Sequence, residues 1–167
     1  MTRHYAARGI TDITFVPIVG GFAYLCAVMD WYSRMVLAWT LSNTMDVGFC
    51  IATLQAALRK YGRPEIFNSD QGSQFTSPEF TQILLDREIR ISMDGKGRCL
   101  DNVFVERLWH SVKYEEIYIF GYDSIPIGQM RLTAYFKFYN HRRPHSSLDR
   151  LKPAEAYAAT LPLAVNQ

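Results

Sequence analysis

Cysteine is scarce in this chain: Cys26, Cys50 and Cys99 are odd in number and form no C-x-x-C pair. That excludes a disulfide framework and a thiolate zinc site, and it fits a reducing cytoplasm. Long apolar runs are also missing. Phe22 to Leu41 is rich in apolar residues, but Asp30, Ser33 and Arg34 interrupt it, and nothing approaches the ~18 uninterrupted residues of a membrane helix. Met1 leads into Thr-Arg-His-Tyr, not an apolar signal core, so neither secretion nor a membrane partner is expected. A strong charge of either sign is lacking too: the net charge of +2 would not by itself suggest nucleic acid. What is present is ordinary for a folded domain, with 167 residues, 49% apolar and 20% charged, enough for one domain with a substantial core.

The pattern along the chain predicts an α/β domain. Met1 to Gly9 has no clear periodicity and is expected to be a loose lead-in. Ile10 to Val16 alternates as a strand, which Pro17 is expected to end because proline cannot donate to a sheet ladder. Gly20-Gly21 signals a turn; Phe22 to Met29 and Arg34 to Leu41 read as paired strands, with Asp30 to Ser33 as the hairpin connection. From Asp46 to Tyr61 the period changes: Val47, Ile51, Leu54, Ala57, Leu58 and Tyr61 recur at helical steps, and Gly62 and Pro64 stop the helix. Glu65 to Ser69 is a short strand. Thr76-Ser-Pro-Glu79 offers an N-cap and a first-turn proline to a helix over Phe80 to Glu88, and Ile89 to Met93 is another strand. After a polar loop at 94–98, Asp101 is expected to cap a helix running to Lys113, with Phe104, Leu108 and Val112 facing the core. A later helix, from Ser124 or Pro126 to Asn140, carries an apolar stripe of Leu132, Tyr135, Phe136 and Tyr139 that should pack on the sheet, and a short helix begins at Pro153. The order implies a mixed five-stranded sheet flanked by helices. Residues 10–121 are expected to form the core, with 122–167 a helical extension of the same domain.

Three acids stand out against this background. Asp12 lies in the first strand, Asp70 follows a short strand and opens the polar turn Asp70-Gln-Gly-Ser-Gln, and Glu106 sits on a helix, separated from Asp70 by 35 residues. Singly, each would more often be structural: an Asp before a Gly turn, or a solvated helical Glu. Together they suggest a site for two divalent ions, one polarising the attacking oxygen and the other the leaving oxygen of a phosphodiester displacement. Magnesium suits such a site because it keeps waters and takes few carboxylates. Lys96, Arg98, His110, Lys113, Arg142 and Arg143 are candidates for positioning DNA phosphates, against the alternative of exposed solubilising charge. His141 and His145 are four apart, but Pro144 between them argues against a helical metal pair.

Several blocks carry a family resemblance: Thr11-Asp-Ile-Thr14, Ala27-Val-Met-Asp-Trp-Tyr-Ser-Arg34, Ser69-Asp-Gln-Gly-Ser-Gln-Phe75, Lys96-Gly through Asp101-Asn-Val-Phe-Val-Glu106, and Tyr139-Asn-His-Arg-Arg-Pro-His-Ser-Ser-Leu148. In this order and spacing the chain resembles the integrase catalytic core of bacterial insertion-sequence transposases of the insertion sequence 3 group. The resemblance implies a ribonuclease H-like fold, a catalytic and metal-binding DDE triad of Asp12, Asp70 and Glu106, and two Mg2+ or Mn2+ ions. It also implies water attack at a DNA element end followed by strand transfer from the freed 3′-hydroxyl, with self-association to pair the ends. Two departures qualify it. Family members usually carry helix-turn-helix segments before the core, whereas only Met1–Thr11 precede Asp12, so a core without its own end-reading module is expected. Gly9 stands where the family tends to have tryptophan, which predicts a shortened or mispaired first strand. Two alternatives share these features: a nuclease that only cuts, and a silent remnant that binds DNA or partner subunits.

Overall fold

The structure, a computed structural model, describes residues 7–93 and 102–161. Strands β1 (Arg8–Ile18) and β2 (Gly21–Asp30) form a hairpin whose turn is closed by Gly20 at φ 84, a left-handed conformation glycine adopts without a Cβ clash. β3 (Val36–Ser42) returns antiparallel to β2. Between them Asp30 acts as the expected hairpin residue, its Oδ2 accepting from the Ser33 amide at 2.9 Å and the Ser33 hydroxyl at 2.6 Å.

Helix α1 (Val47–Tyr61) follows, with the Asp46 side chain capping the Phe49 amide and Gly62 at the C-cap. β4 (Ile66–Ser69) leads to a one-turn helix α2 (Ser73–Thr76), then α3 (Pro78–Asp86) capped by Ser77 with Pro78 in its first turn, then β5 (Arg90–Met93). Helix α4 (Val103–Val112) passes without a break through a π-helical turn (Lys113–Ile117) into the short α5 (Tyr118–Phe120). α6 (Ile125–His141) is capped by Ser124, and α7 (Pro153–Ala159) ends the described chain. No helix among the described residues is long and apolar enough to cross a membrane.

The sheet order is β3-β2-β1-β4-β5, with β1 parallel to β4 and β4 parallel to β5. It is therefore the mixed five-stranded sheet that the pattern predicted. Alternation along β1 divides the core. Ile10 and Val16 pack with Val105, Leu108 and Val112 of α4 and with Leu132, Tyr135, Phe136 and Tyr139 of α6. Ile13 turns the other way, toward the Phe49, Leu54, Phe80 and Leu84 cluster of α1 and α3. Even-numbered β1 residues thus face α4.

Several local expectations are corrected. β1 begins at Arg8, not Ile10, so it is neither shortened nor mispaired: Gly9 sits opposite Asp30 on one side and Phe67 on the other. Pro17 does not end the strand. It pairs with Phe22 where β4 has already parted from β1, and on a strand with one neighbour the missing N–H can face the open side. Asn102, not Asp101, occupies the cap of α4, and Asp101 lies outside the described residues. The buried stripe of α4 is Val105, Leu108, Trp109 and Val112, with Phe104 only partly covered.

Gly9 itself is required by packing. A Cβ there would lie 2.9 Å from the Phe67 ring, which is buried and cannot retreat. Gly9→Ala is therefore expected to cost about 1–3 kcal/mol through overpacking, read as a lowered denaturation midpoint. An unchanged midpoint would mean that the Phe67 ring repacks freely.

Candidate active site

The β1–β4 register brings two of the three predicted acids together. Arg8 pairs with Ile66, Gly9 with Phe67 and Ile10 with Asn68. Carried two residues further, this constant offset sets Asp12 level with Asp70, just past the end of β4. In a parallel pair, level residues project to the same face, so both carboxylates lie on the α4 side of the sheet.

Each carboxylate has a donor that orients it. Trp109, one turn beyond Glu106 on α4, donates its indole Nε1–H to Asp12 Oδ2 at 3.0 Å. Asp70 Oδ1 accepts from the Gly72 amide at 2.8 Å. A Cβ on Gly72 would stand 2.9 Å from that same oxygen, so the turn admits no side chain there while Asp70 keeps this bond. Burial pushes the Asp12 carboxyl up to about 6. The Trp109 and Ile13 donors oppose that rise, and the neighbouring Asp70 charge adds to it. Two facing carboxylates, one of them reluctant to ionise, form a donor set that a hard divalent cation fits well.

Glu106 is on α4 as expected and is exposed. Among the described residues no group of three His, Cys, Asp or Glu side chains is close enough to hold a metal ion, so Glu106 stands outside the aspartate pair in this conformation. It precedes Trp109 by three residues, however, and i,i+3 positions are neighbours on a helix surface. That sets it on the part of α4 adjoining Asp12.

The basic candidates divide. His110 is exposed and stacks on Tyr114 with centroids 4.4 Å apart, and Lys113 begins the π-helical turn. Arg142 is exposed at the end of α6. Arg143 is largely committed internally: its guanidinium pairs with Glu115 at 2.8 Å and reaches His145 Nε2 at 3.3 Å. Burial works against ionisation of Glu115, but Arg143 and Tyr135 outweigh it and hold the carboxyl below its usual range. His145, half-buried against Tyr139, is pushed down to about 4 by burial and by the Arg143 and Arg34 charges, so it is neutral at physiological pH. Lys96 and Arg98 lie outside the described residues.

Three residues near this site escaped the sequence reading. Trp109 looked like one more apolar residue, and only its placement three residues after Glu106 hinted at a role. Arg34 was hidden because its position beside α4 depends on the β2–β3 turn, where it takes φ 65. Asn68, two residues before Asp70 and on the same strand face, is 1% exposed, and neither of its amide atoms has a protein partner.

Comparison with known proteins accords with this geometry. A family model described as integrase core domain matches residues 8–99, more than half the chain, and a second model of the same description matches 87–153. The transposase InsF for insertion sequence IS3A of Escherichia coli (strain K12) is 35% identical over 147 residues, which are 86% of this chain and 51% of InsF. The chain thus spans about half the length of that relative. Among solved structures, a simian T-cell lymphotropic virus intasome in complex with PP2A regulatory subunit B56 gamma superposes with a TM-score of 0.79 at 19% identity. That match covers 97% of this chain and 59% of the other. The HTLV-2 integrase catalytic core domain in complex with magnesium gives 0.71 at 16% identity, covering 91% and 95%. These likenesses show the ribonuclease H-like fold of retroviral integrase cores. With two integrase core models spanning the chain between them and the sheet order that the fold requires, this protein belongs to the integrase core domain family.

Proposed function

We propose that the chain is the catalytic domain of a DDE transposase or integrase, cutting DNA at the ends of a mobile element and joining them to a target. The observation that carries this reading is the level placement of Asp12 and Asp70 on neighbouring parallel strands, under a helix bearing Glu106. Asp12 and Asp70 would hold Mg2+ or Mn2+, with Glu106 completing the set by side-chain or helix adjustment. The bound ions would supply Lewis-acid activation of the attacking and leaving oxygens.

The chain's own groups do the rest. Trp109 fixes the orientation of Asp12, and the Gly72 amide fixes that of Asp70, so neither carboxylate has to be ordered when substrate arrives. His110, Lys113 and Arg142 would contact phosphates along α4 and the end of α6, while Arg143, paired with Glu115, would mainly brace that carboxylate. Because water and a 3′-hydroxyl are both oxygen nucleophiles in line with a phosphodiester, one site serves cleavage and strand transfer alike. Joining two ends requires at least two protomers. The HTLV-2 core has been described in dimeric and trimeric forms, and self-association of this chain is proposed by analogy.

The test is a strand-transfer assay with a branched DNA that presents an element end already joined to target, in Mg2+ or Mn2+. Resealing of the target strand supports the reading. Hydrolysis without resealing points to a nuclease, and no metal-dependent product from wild type points to a silent remnant.

A further inference from the structure

Beside Glu106, on the flank of α4 turned away from the aspartates, lies a groove of about 550 Å3 bounded by α4, the end of α6 and the loop that follows it. Its lining includes Arg34, Arg107, His110, Arg143, Ser146 and Ser147 and contains no carboxylate. Arg143 is neutralised by Glu115, just outside the groove. Arg107 makes no ion pair among the described residues, and the charge facing Arg34 is the buried Asp30 carboxylate, outside the groove lining. Arg34 Nη1 donates to the Trp31 and Tyr32 carbonyls and the guanidinium lies 3.3 Å over the Phe104 ring, while the Arg107 guanidinium stands 5.9 Å from the centroid of the same ring. Burial, with the nearby Arg107 charge, makes the charged form of Arg34 less favourable than usual, against the opposing influence of Tyr139 and Asp30.

Three arginines around one concave site, against two carboxylates that lie outside its lining, leave an excess of positive charge that favours an anion there. The hydroxyls of Ser146 and Ser147 add neutral donors on the facing wall. Arg107 follows Glu106 directly and His110 follows it by one turn, so an anion held here lies along the same helix as Glu106. We infer that this groove holds a backbone phosphate of the DNA strand flanking the scissile bond, read through charge and hydroxyls without regard to base sequence. The inference rests on the proposed DNA chemistry and assigns Arg34, Arg107, Ser146 and Ser147 to substrate positioning.

The test uses fluorescence anisotropy of a duplex oligonucleotide over a salt series, with the whole chain. Arg107→Gln is the main variant because its side chain is exposed and makes no ion pair among the described residues. Lys137→Gln, exposed on α6 away from the groove, makes the same change in net charge. Arg107→Gln is expected to lower the slope of log K against log[salt] by about 1 and to weaken binding equally on unrelated sequences, while Lys137→Gln leaves both unchanged. Ser147→Glu, which puts a carboxylate on the opposite wall, should weaken binding further. Equal affinities and slopes for wild type, Arg107→Gln and Ser147→Glu would overturn the inference. So would loss of a thermal shift by inorganic phosphate in Arg107→Gln with DNA binding unaltered, since the groove would then take free phosphate only. Asp70→Asn separates the two readings. If it abolishes cleavage while the groove variants bind as wild type does, only the groove inference falls. If it leaves cleavage unchanged while the groove variants shift the slope, only the catalytic reading falls.

Discussion

Asp12→Asn is expected to abolish metal-dependent DNA cleavage while making the metal-free protein more stable at neutral pH. The loss should be at least about a hundredfold, because removing even an outer partner of a metal ligand costs about 10–100-fold, and Asp12 would be a ligand itself. The gain follows from its buried carboxyl, which ionises at about 6 against an ordinary 3.8. Below about pH 4 the group is protonated both folded and unfolded, and it carries no penalty. Between about 4 and 6 the unfolded chain releases the proton that the folded chain retains, so stability falls as pH rises. Above 6 the penalty is complete, on the order of 3 kcal/mol. Asparagine keeps an oxygen for the Trp109 indole and never ionises. In EDTA its unfolding midpoint should therefore exceed that of wild type by several degrees at pH 7.5 and match it near pH 4. An asparagine variant that is less stable at pH 7.5, or that still cleaves DNA, contradicts this description of Asp12.

Arg131→Met is expected to destabilise the fold by about 2–3 kcal/mol, less than the ~3–5 kcal/mol of stripping a partner from a fully buried ion pair because the Arg131 side chain is 32% exposed. Glu116 is 6% exposed, and its Oε1 accepts from Arg131 Nε at 2.7 Å and from the Tyr122 hydroxyl at 3.2 Å. Burial and the Glu116 carboxylate push the Tyr122 hydroxyl well above its usual range, so it remains a donor. Without Arg131 the carboxylate would have only that neutral partner. The cluster matters beyond its own energy because the Tyr122 carbonyl accepts from the Val19 amide, tying the α5–α6 turn to the end of the β1–β2 hairpin. Adding Glu116→Leu to Arg131→Met should recover most of the loss, since an apolar pair of similar volume is often as stable as the ionic one. Urea unfolding of the single and double variants measures this directly. Equal midpoints for wild type and Arg131→Met would show that Glu116 is adequately solvated without its partner.

Glu116 also shows where the sequence stopped being informative. The helix was expected to end at Lys113, yet a π-helical turn carries it onward and directs Glu115 and Glu116 to different arginines, Arg143 and Arg131. A single extra residue in one helical turn leaves no trace in apolar periodicity. What periodicity does record came through for the alternation of β1 and the α6 stripe, which pack as their spacing implied; the face of α1 is rotated, with Phe49, Cys50 and Thr53 buried beside Leu54 and Ala57 while Val47, Ile51 and Leu58 are only partly covered. The pairing of Asp12 with Asp70 depends on β1 and β4 being neighbours, which no local pattern records, because register between distant strands is a tertiary property. Pro17 misled because the rule against proline in strands applies where both edges are paired. The Trp109 bond to Asp12 spans 97 positions and joins a strand to a helix, so no local pattern could have announced it.

The central claim is that Asp12, Asp70 and Glu106 form a divalent metal site, and it is tested most directly by thermal unfolding with and without Mn2+, comparing wild type with Asp70→Asn. Binding to the native state alone raises the midpoint in proportion to RT ln(1 + [Mn2+]/Kd), and it needs no DNA and no further part of a longer protein. The site described here predicts a Mn2+-dependent rise in wild type that Asp70→Asn loses. A midpoint that Mn2+ leaves unmoved in both proteins, or raises equally in both, would contradict it.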